Sequence, residues 1–226
     1  MSQLREPAVV ATGSAADFIP PKPTLQKLRE ASRGCRGCPL WVNATQTVFG
    51  EGSPTAEVML VGEQPGDQED RQGHPFVGPS GKLLDAALEQ AGIDRSRVYV
   101  TNSVKHFKFV VIERGRRLHK KPNASEIRAC HPWLQEEIRL LRPKVIVALG
   151  ATAAQALLGK QFRVTQHRGK PVSSELADAV IATVHPSAVL RARDPEREEA
   201  RQEFFRDMKS VAAYIGGRKA KVAGSR

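Results

Sequence analysis

The chain has 226 residues, 35 Lys plus Arg against 24 Asp plus Glu, a net charge of +11 and 40% apolar residues. That length suits one medium domain, and the composition excludes a disordered chain, a coiled coil and a collagen-like repeat. No stretch approaches the roughly 18 consecutive apolar residues of a membrane span. The three cysteines argue against a secreted disulfide framework and for a reducing, cytoplasmic compartment. The opening MSQLREPAVV carries no secretory cleavage signature.

Residues 1–22, rich in Ala, Pro and Ser, read as a disordered extension. A helix follows from Thr24 to Arg33 with Thr24 as N-cap, and then the knot GCRGCPLW. Four short apolar runs fit buried parallel strands: Val58 to Val61, Val98 to Thr101, Val145 to Leu149 and Ala179 to Val184. Helical patterns lie between them: Ser80 to Ala91, Ser125 to Leu141 and Ala151 to Leu158. An amphipathic, charge-laced helix closes the series from Pro195 to Tyr214, and the basic tail 216–226 reads as disordered. Alternating strands and helices imply an α/β fold: a three-layer α/β/α sandwich on a central, mostly parallel four-stranded sheet. One domain over 23–215 is the simplest organisation, and nothing in it demands more than a monomer.

The charge is uneven. Residues 104–121 hold seven basic residues and one acid, interleaved with Phe107 and Phe109. Such a mixture suits a surface that neutralises phosphates, although a solvated basic loop would look the same.

Cys35 and Cys38 form a Cys-x2-Cys hook, with Cys130 far downstream. Three thiols leave a four-coordinate site one ligand short, and His106, just past a strand end, is the candidate fourth. On donors alone zinc remains a strong choice, a redox pair is conceivable, and Cys130 could be an inert core residue.

In doubly wound folds ligands bind beyond the carboxyl ends of the strands. Here those ends lead into GEQPGD, NSVKH, GATAA and HPSAVLR. Gly62-Glu63-Gln64-Pro65-Gly66-Asp67 resembles the first motif of iron–sulfur uracil-DNA glycosylases. Pro75 to Leu84, Thr101-Asn102-Ser103-Val104-Lys105 and His185-Pro186-Ser187 are similar to the motifs that follow it. The order holds over roughly residues 30–210. Three departures from the general family 4 pattern stand out: Gln64 for Ala, His106 for Cys, and an inserted basic loop ending in Arg116-Arg117-Leu118-His119. Together they resemble the UdgX branch of the superfamily, which excises uracil and keeps the abasic sugar bonded to the loop histidine. Leu118 replaces that branch's usual Ile. Ala188-Val189-Leu190-Arg191 replaces its usual Ser-Leu-Leu-Arg.

The resemblance implies a [4Fe–4S] cluster held by Cys35, Cys38, His106 and Cys130. It implies uracil-containing DNA as partner, with single strands preferred because no base pair has to be opened. Cleavage of the N-glycosidic bond builds positive charge on the sugar and negative charge on uracil. Phe76 would then stack on the base and Asn102 would read its edge. His185 would stabilise the departing anion. Glu63 would stabilise C1′ and hold the nucleophile, with Gln64 and Asp67 shaping that corner. His119 would attack C1′. Arg116, Arg117, Lys120 and Lys121 would hold phosphates, and Arg191 would approach from the other side. Two rivals are an ordinary turnover glycosylase that uses water, and a non-catalytic metal-stabilised DNA-binding protein.

Overall fold

The computed structural model describes residues 13–223, with side chains described to residue 217. The first described element is a one-turn helix, Ala15–Phe18, capped by the Ser14 hydroxyl. Helix α1 (Leu25–Ser32) follows, with the Thr24 side chain accepting from the Lys27 N–H as expected of an N-cap. The chain then runs β1 (Glu51–Gly52), β2 (Val58–Gly62), α2 (Asp67–Gln72), α3 (Pro79–Gln90) and β3 (Val98–Asn102). A hairpin of β4 (Phe109–Val111) and β5 (Arg117–His119) precedes α4 (Ala124–Leu141), β6 (Val145–Leu149), α5 (Ala151–Leu158) and α6 (Val164–His167). Strands β7 (Pro171–Val172) and β8 (Ala179–Thr183) lead to α7 (Pro186–Arg191) and α8 (Glu196–Ala223).

The sheet has six strands in the order β1-β3-β2-β6-β8-β7, not four. The inner four are parallel, and β1 and β7 flank them antiparallel. Each edge strand is two residues long, too short to leave a period-two signature, and Pro171 suits an edge because it donates nothing to the ladder. The inner strands are buried along their whole length, which is why they read as continuous apolar runs.

Alternate side chains serve two cores. Val58, Leu60, Val98, Val145 and Val147 pack against Leu84 and Leu88 of α3 and Phe204 and Met208 of α8. Met59, Val61, Tyr99, Ile146 and Val180 pack against Leu134 and Ile138 of α4 and Ala153 and Leu157 of α5. These are the layers of the sandwich. No described helix is long and apolar enough to cross a membrane.

A third cluster gathers Ala15, Leu28, Cys35, Cys38, Phe49, Val104, Cys130 and Trp133. Ala15 is fully buried there, and the Gly37 backbone lies so close to Ser14 that a Cβ would meet its carbonyl carbon at 2.6 Å. Residues 13–22 are therefore folded over the cysteine hook, which corrects the reading of 1–22 as a loose extension. An Ala/Pro/Ser composition hid one small residue that fits a tight site. At the other end α8 continues to Ala223, past the expected stop at Tyr214. Residues 1–12 and 224–226 of the expected extension and tail lie outside the described residues.

Beneath the β3 end lies a buried ion pair. The Lys105 Nζ sits 2.5 Å from Glu137 Oε2, both side chains fully buried. It also donates to Thr101 Oγ1 at 2.6 Å and to the Asn102 carbonyl at 2.8 Å, while Tyr99 OH donates to Glu137 Oε1 at 2.9 Å. Every acceptor around the ammonium is occupied, the condition under which a buried pair is tolerated. Lys105→Met leaves the Glu137 carboxylate buried without its cation, a loss of about 3–5 kcal/mol. The melting temperature should fall by about 10 °C or more, and Lys105→Met/Glu137→Leu should recover most of the drop.

Candidate active site

The carboxyl ends of β2, β3 and β8 and the start of α5 converge on one corner. Gly62, the last residue of β2, is what makes it compact. A Cβ there would meet Asn102 Oδ1 at 2.3 Å and the Phe76 ring at 2.9 Å, so the amide and the ring share the space above the glycine. Phe76 holds a left-handed φ of 57°, a conformation costly for an aromatic residue and met at ligand sites. Its loop is clamped from below, because a Cβ on Gly81 would meet the Phe76 carbonyl oxygen at 1.6 Å. Asn102 is 2% exposed, and its Oδ1 is buried with no hydrogen-bond donor. A buried acceptor of this kind carries the full desolvation cost until a ligand N–H meets it.

His185 lies 6.2 Å from Phe76, ring centroid to ring centroid, with the planes 25° apart. It caps α7, its Nδ1 accepting the Ser187 N–H at 3.1 Å. A backbone amide can only donate, so in the neutral ring the proton belongs to Nε2, leaving that N–H to donate into the site. Burial, with Arg191 and His119 adding, pushes the His185 pKa down to about 4. His185 is therefore a neutral donor at neutral pH.

Glu63 follows Gly62. Thr152, in the first turn of α5, donates to its Oε2, and its Oε1 faces His119 Nε2 at 3.5 Å. Burial lowers the His119 pKa, Glu63 opposes this and Arg191 adds to it. The ring is half exposed and tilts against Phe107 at 6.0 Å.

Two residues set where His119 stands: Gln64, expected to shape this corner, and Arg117. The Gln64 Nε2 donates to the Lys108 and Lys120 carbonyls at 3.2 and 3.0 Å, and its Oε1 accepts the Lys108 N–H at 3.0 Å. It clips both legs of the β4–β5 hairpin to the end of β2, so its amide is committed to backbone and not to a base. Arg117 was expected to hold a phosphate. Its Nε instead donates to Asp67 Oδ1, its Nη1 to Asp70 Oδ2 at 2.6 Å and its Nη2 to the Asp67 carbonyl at 3.2 Å. The guanidinium also lies over the Phe109 ring at 4.8 Å, and the side chain is only 11% exposed. Arg117 is thus an anchor for the hairpin, and Asp67 is part of the anchor instead of a direct substrate contact. By strand alternation Arg117 and His119 share one face, while Leu118 points to solvent with Val110, its cross-strand partner.

Arg116, Lys120 and Lys121 are exposed along the hairpin and its exit, and Arg191 is exposed opposite. Residues not singled out in the sequence complete the frame. Glu69 is buried and accepts from the Gly66 and Gly78 N–H groups at 3.0 and 2.8 Å, tying the first two motifs together. Asp70, fully buried, takes the Thr45 N–H and hydroxyl as well as Arg117. Thr152 lies in the GATAA segment, flagged only by its place after a strand.

The family model described as "Uracil DNA glycosylase superfamily" matches residues 49–209. The chain belongs to this superfamily. It is 36% identical over 192 residues to the type-4 uracil-DNA glycosylase of Thermotoga maritima, covering 84% of this chain and 94% of that one. It is 37% identical over 200 residues to a type-4 uracil-DNA glycosylase of Pyrobaculum aerophilum, covering 85% and 94%. A type-5 uracil-DNA glycosylase of Thermus thermophilus is 35% identical over 132 residues, covering 56% and 59%.

Within this superfamily member the cysteines also come together. Cys35, Cys38 and Cys130 are free, buried and in one core cluster. The Trp133 indole N–H donates to Cys35 Sγ at 3.3 Å and the Lys105 N–H to Cys130 Sγ at 3.2 Å. His106, next in sequence, is 5% exposed, and burial, opposed by Asp70, pushes its pKa down to about 4. Burial pushes the Cys38 and Cys130 thiols up to about 11 and about 12. Among the described residues no three His, Cys, Asp or Glu side chains form a group able to hold a single metal ion.

The His185 shift has a pH consequence. Between about 4 and the ordinary 6.5 the unfolded chain binds a proton that the native ring refuses. Stability therefore rises with pH through that window and is lost as acid is added. Melting temperatures measured across it should fall less steeply for His185→Gln than for the natural protein.

Proposed function

We propose that the protein excises uracil from DNA and then bonds His119 covalently to C1′ of the abasic sugar. The observation that carries the second half is His119 Nε2 standing 3.5 Å from Glu63 Oε1, on a hairpin clipped to that same carboxylate's neighbour, Gln64. The superfamily membership and the type-4 relatives support the first half.

The base would lie on Phe76, its N–H answering the orphan Asn102 Oδ1. As the C1′–N1 bond lengthens, the bonding electron pair leaves with uracil, and the His185 Nε2–H donates to the oxygen where that charge collects. A neutral donor does this without gaining a proton first. The Glu63 carboxylate, fixed by Thr152, faces the positive charge growing on the sugar. His119 Nε2 bonds to C1′ while Glu63 takes its proton, and that proton ends on the uracil anion. The products are neutral uracil and an N-alkylated imidazole, which lacks an easy leaving route, so each molecule acts once. Arg116, Lys120, Lys121 and Arg191 would hold backbone phosphates. Single strands are the preferred substrate on this reading, because the base is extruded without breaking a pair.

A [4Fe–4S] cluster fits the donor set. Three buried thiols share one apolar pocket, burial keeps those of Cys38 and Cys130 protonated, and a bound cation removes thiol protons. Two N–H donors already point at their sulfurs, as second-shell partners do. Cys35, Cys38 and Cys130 with His106 would hold it. When bound, the cluster supplies a rigid brace between the hook and the β3 end.

Boiling the protein in detergent with a uracil-containing single-stranded oligonucleotide should give a shifted band on a denaturing gel. His119→Ala should remove that band, and Glu63→Gln should slow uracil release by about 10²–10⁴-fold. Uracil release without a band would make the protein a turnover glycosylase that uses water. Neither, from protein with its metal intact, would leave a non-catalytic DNA-binding protein.

The purified protein should be coloured and contain iron, and Cys130→Ala should bleach and destabilise it. A colourless protein carrying zinc would overturn the cluster assignment.

A further inference from the structure

A groove of about 700 Å³ lies between the α4 and α5 helices, beside the catalytic corner and outside it. Its volume falls within the roughly 300–1,000 Å³ of sites that hold small organic groups. Lys121, Arg128 and Lys160 stand around it, Ile127 and Ala156 give it apolar surface, and none of its lining residues is acidic. Thr152 is also in the lining, and the same Thr152 hydroxyl donates to Glu63. The groove therefore begins where the reacting carboxylate ends, and Lys121, two residues beyond His119, links it to the hairpin.

We infer that this groove seats a flanking nucleotide of the same DNA strand, next to the one whose base is extruded. The inference rests on the glycosylase reading and adds to it a second subsite. The chemistry matches on each count. Three cations and no acid fit backbone phosphates. An apolar floor fits the faces of a base or sugar, and single-strand binding sites combine these two features. The position fits too, because the groove opens beside Thr152, whose hydroxyl fixes the Glu63 carboxylate that would face C1′. The Arg128 and Lys160 side chains are exposed, and among the described residues neither forms an ion pair or serves the catalytic corner.

The test uses Arg128→Glu/Lys160→Glu, two surface changes whose folding is checked by an unchanged melting curve, with Arg128→Lys/Lys160→Arg as the conservative control. Single-turnover uracil release is measured against protein concentration on three oligonucleotides. One has a central uracil, and two have uracil at the 5′ or the 3′ end. On the central substrate the double Glu variant should need about tenfold more protein for half-maximal rate, with the maximal rate unchanged. The slope of log affinity against log salt should be shallower by about 1.4, the share of two single-strand phosphate contacts. The Lys/Arg exchange should behave as the natural protein. One end-substituted oligonucleotide, the one lacking the nucleotide that enters the groove, should erase the difference, and the other should keep it. A tenfold gap that persists on both, or no gap on any, would overturn the subsite. If the natural protein releases no uracil, the glycosylase reading fails by itself. The subsite is then judged by fluorescence anisotropy of the same oligonucleotides, with the same pattern required.

Discussion

The placement of the β4–β5 hairpin depends on one guanidinium. Arg117 reaches from the hairpin to Asp67 and to the buried Asp70, and beside Gln64 it is the charged tie between these two strands, which lie outside the main sheet, and the body of the protein. Its fork matches two carboxylates at once, which an ammonium group does not do. Asp70 is fully buried, so removing the cation would strand a carboxylate away from water. A hairpin of two three-residue strands has little stability of its own. The cost of unpairing Asp70 therefore opposes any swing of the hairpin away from Glu63. The Phe107 and Phe109 rings, stacked at 5.0 Å, give the guanidinium a low-dielectric floor that strengthens the pair.

Lys105 plays the corresponding part on the other side of the site. Its backbone N–H donates to Cys130 and its ammonium to the Asn102 carbonyl. One residue thus touches both the cysteine pocket and the strand end that presents the orphan amide. A change in the cysteine pocket reaches Asn102 through a single side chain that is fully buried and fully paired. Such a link transmits displacement because it has no slack: the Lys105 ammonium lies within hydrogen-bond distance of Thr101, Asn102 and Glu137.

What the sequence showed was set by length scale. The four inner strands and helices α1, α3, α4 and α5 were legible to within a residue or two, and α8 at its start but not at its end, because each buries an apolar run or stripe long enough to show. Edge strands of two residues bury none. The convergence of Glu63, Asn102 and His185 was legible from their place after strand ends, a rule about topology, whereas Phe76, between α2 and α3, entered through the family resemblance. The partners of Gln64 and Arg117 were not. A side chain's type says what it can bond, whereas its nearest acceptor is fixed by contacts 44 to 56 positions away for Gln64 and 47 to 50 for Arg117 in its acidic pair. A basic run looks like a phosphate surface, and only the fold shows that Arg117 turns inward while Arg116 and Lys120 stay out. That division follows the two-residue alternation of β5, with its exposed apolar pair Val110 and Leu118 marking the outer face.

Gln64 and the hairpin have to be considered together. The Lys108 and Lys120 carbonyls and the Lys108 N–H lie at the foot of the hairpin; the Lys108 carbonyl takes the Lys120 N–H at 2.9 Å, while the Lys120 carbonyl and the Lys108 N–H lie past the last rung of the ladder. The Gln64 amide, with donors and an acceptor on one planar group, answers all three. An alanine there would leave the Lys120 carbonyl and the Lys108 N–H to water at the mouth of the site, and the hairpin could drift by the small distances that matter to a nucleophile. A glutamine without the hairpin would be as badly placed, since Gln64 is only 6% exposed and its amide would be buried without partners. Each is unfavourable without the other. Gln64 and the basic hairpin are therefore one structural unit, and it holds an imidazole beside the carboxylate at position 63.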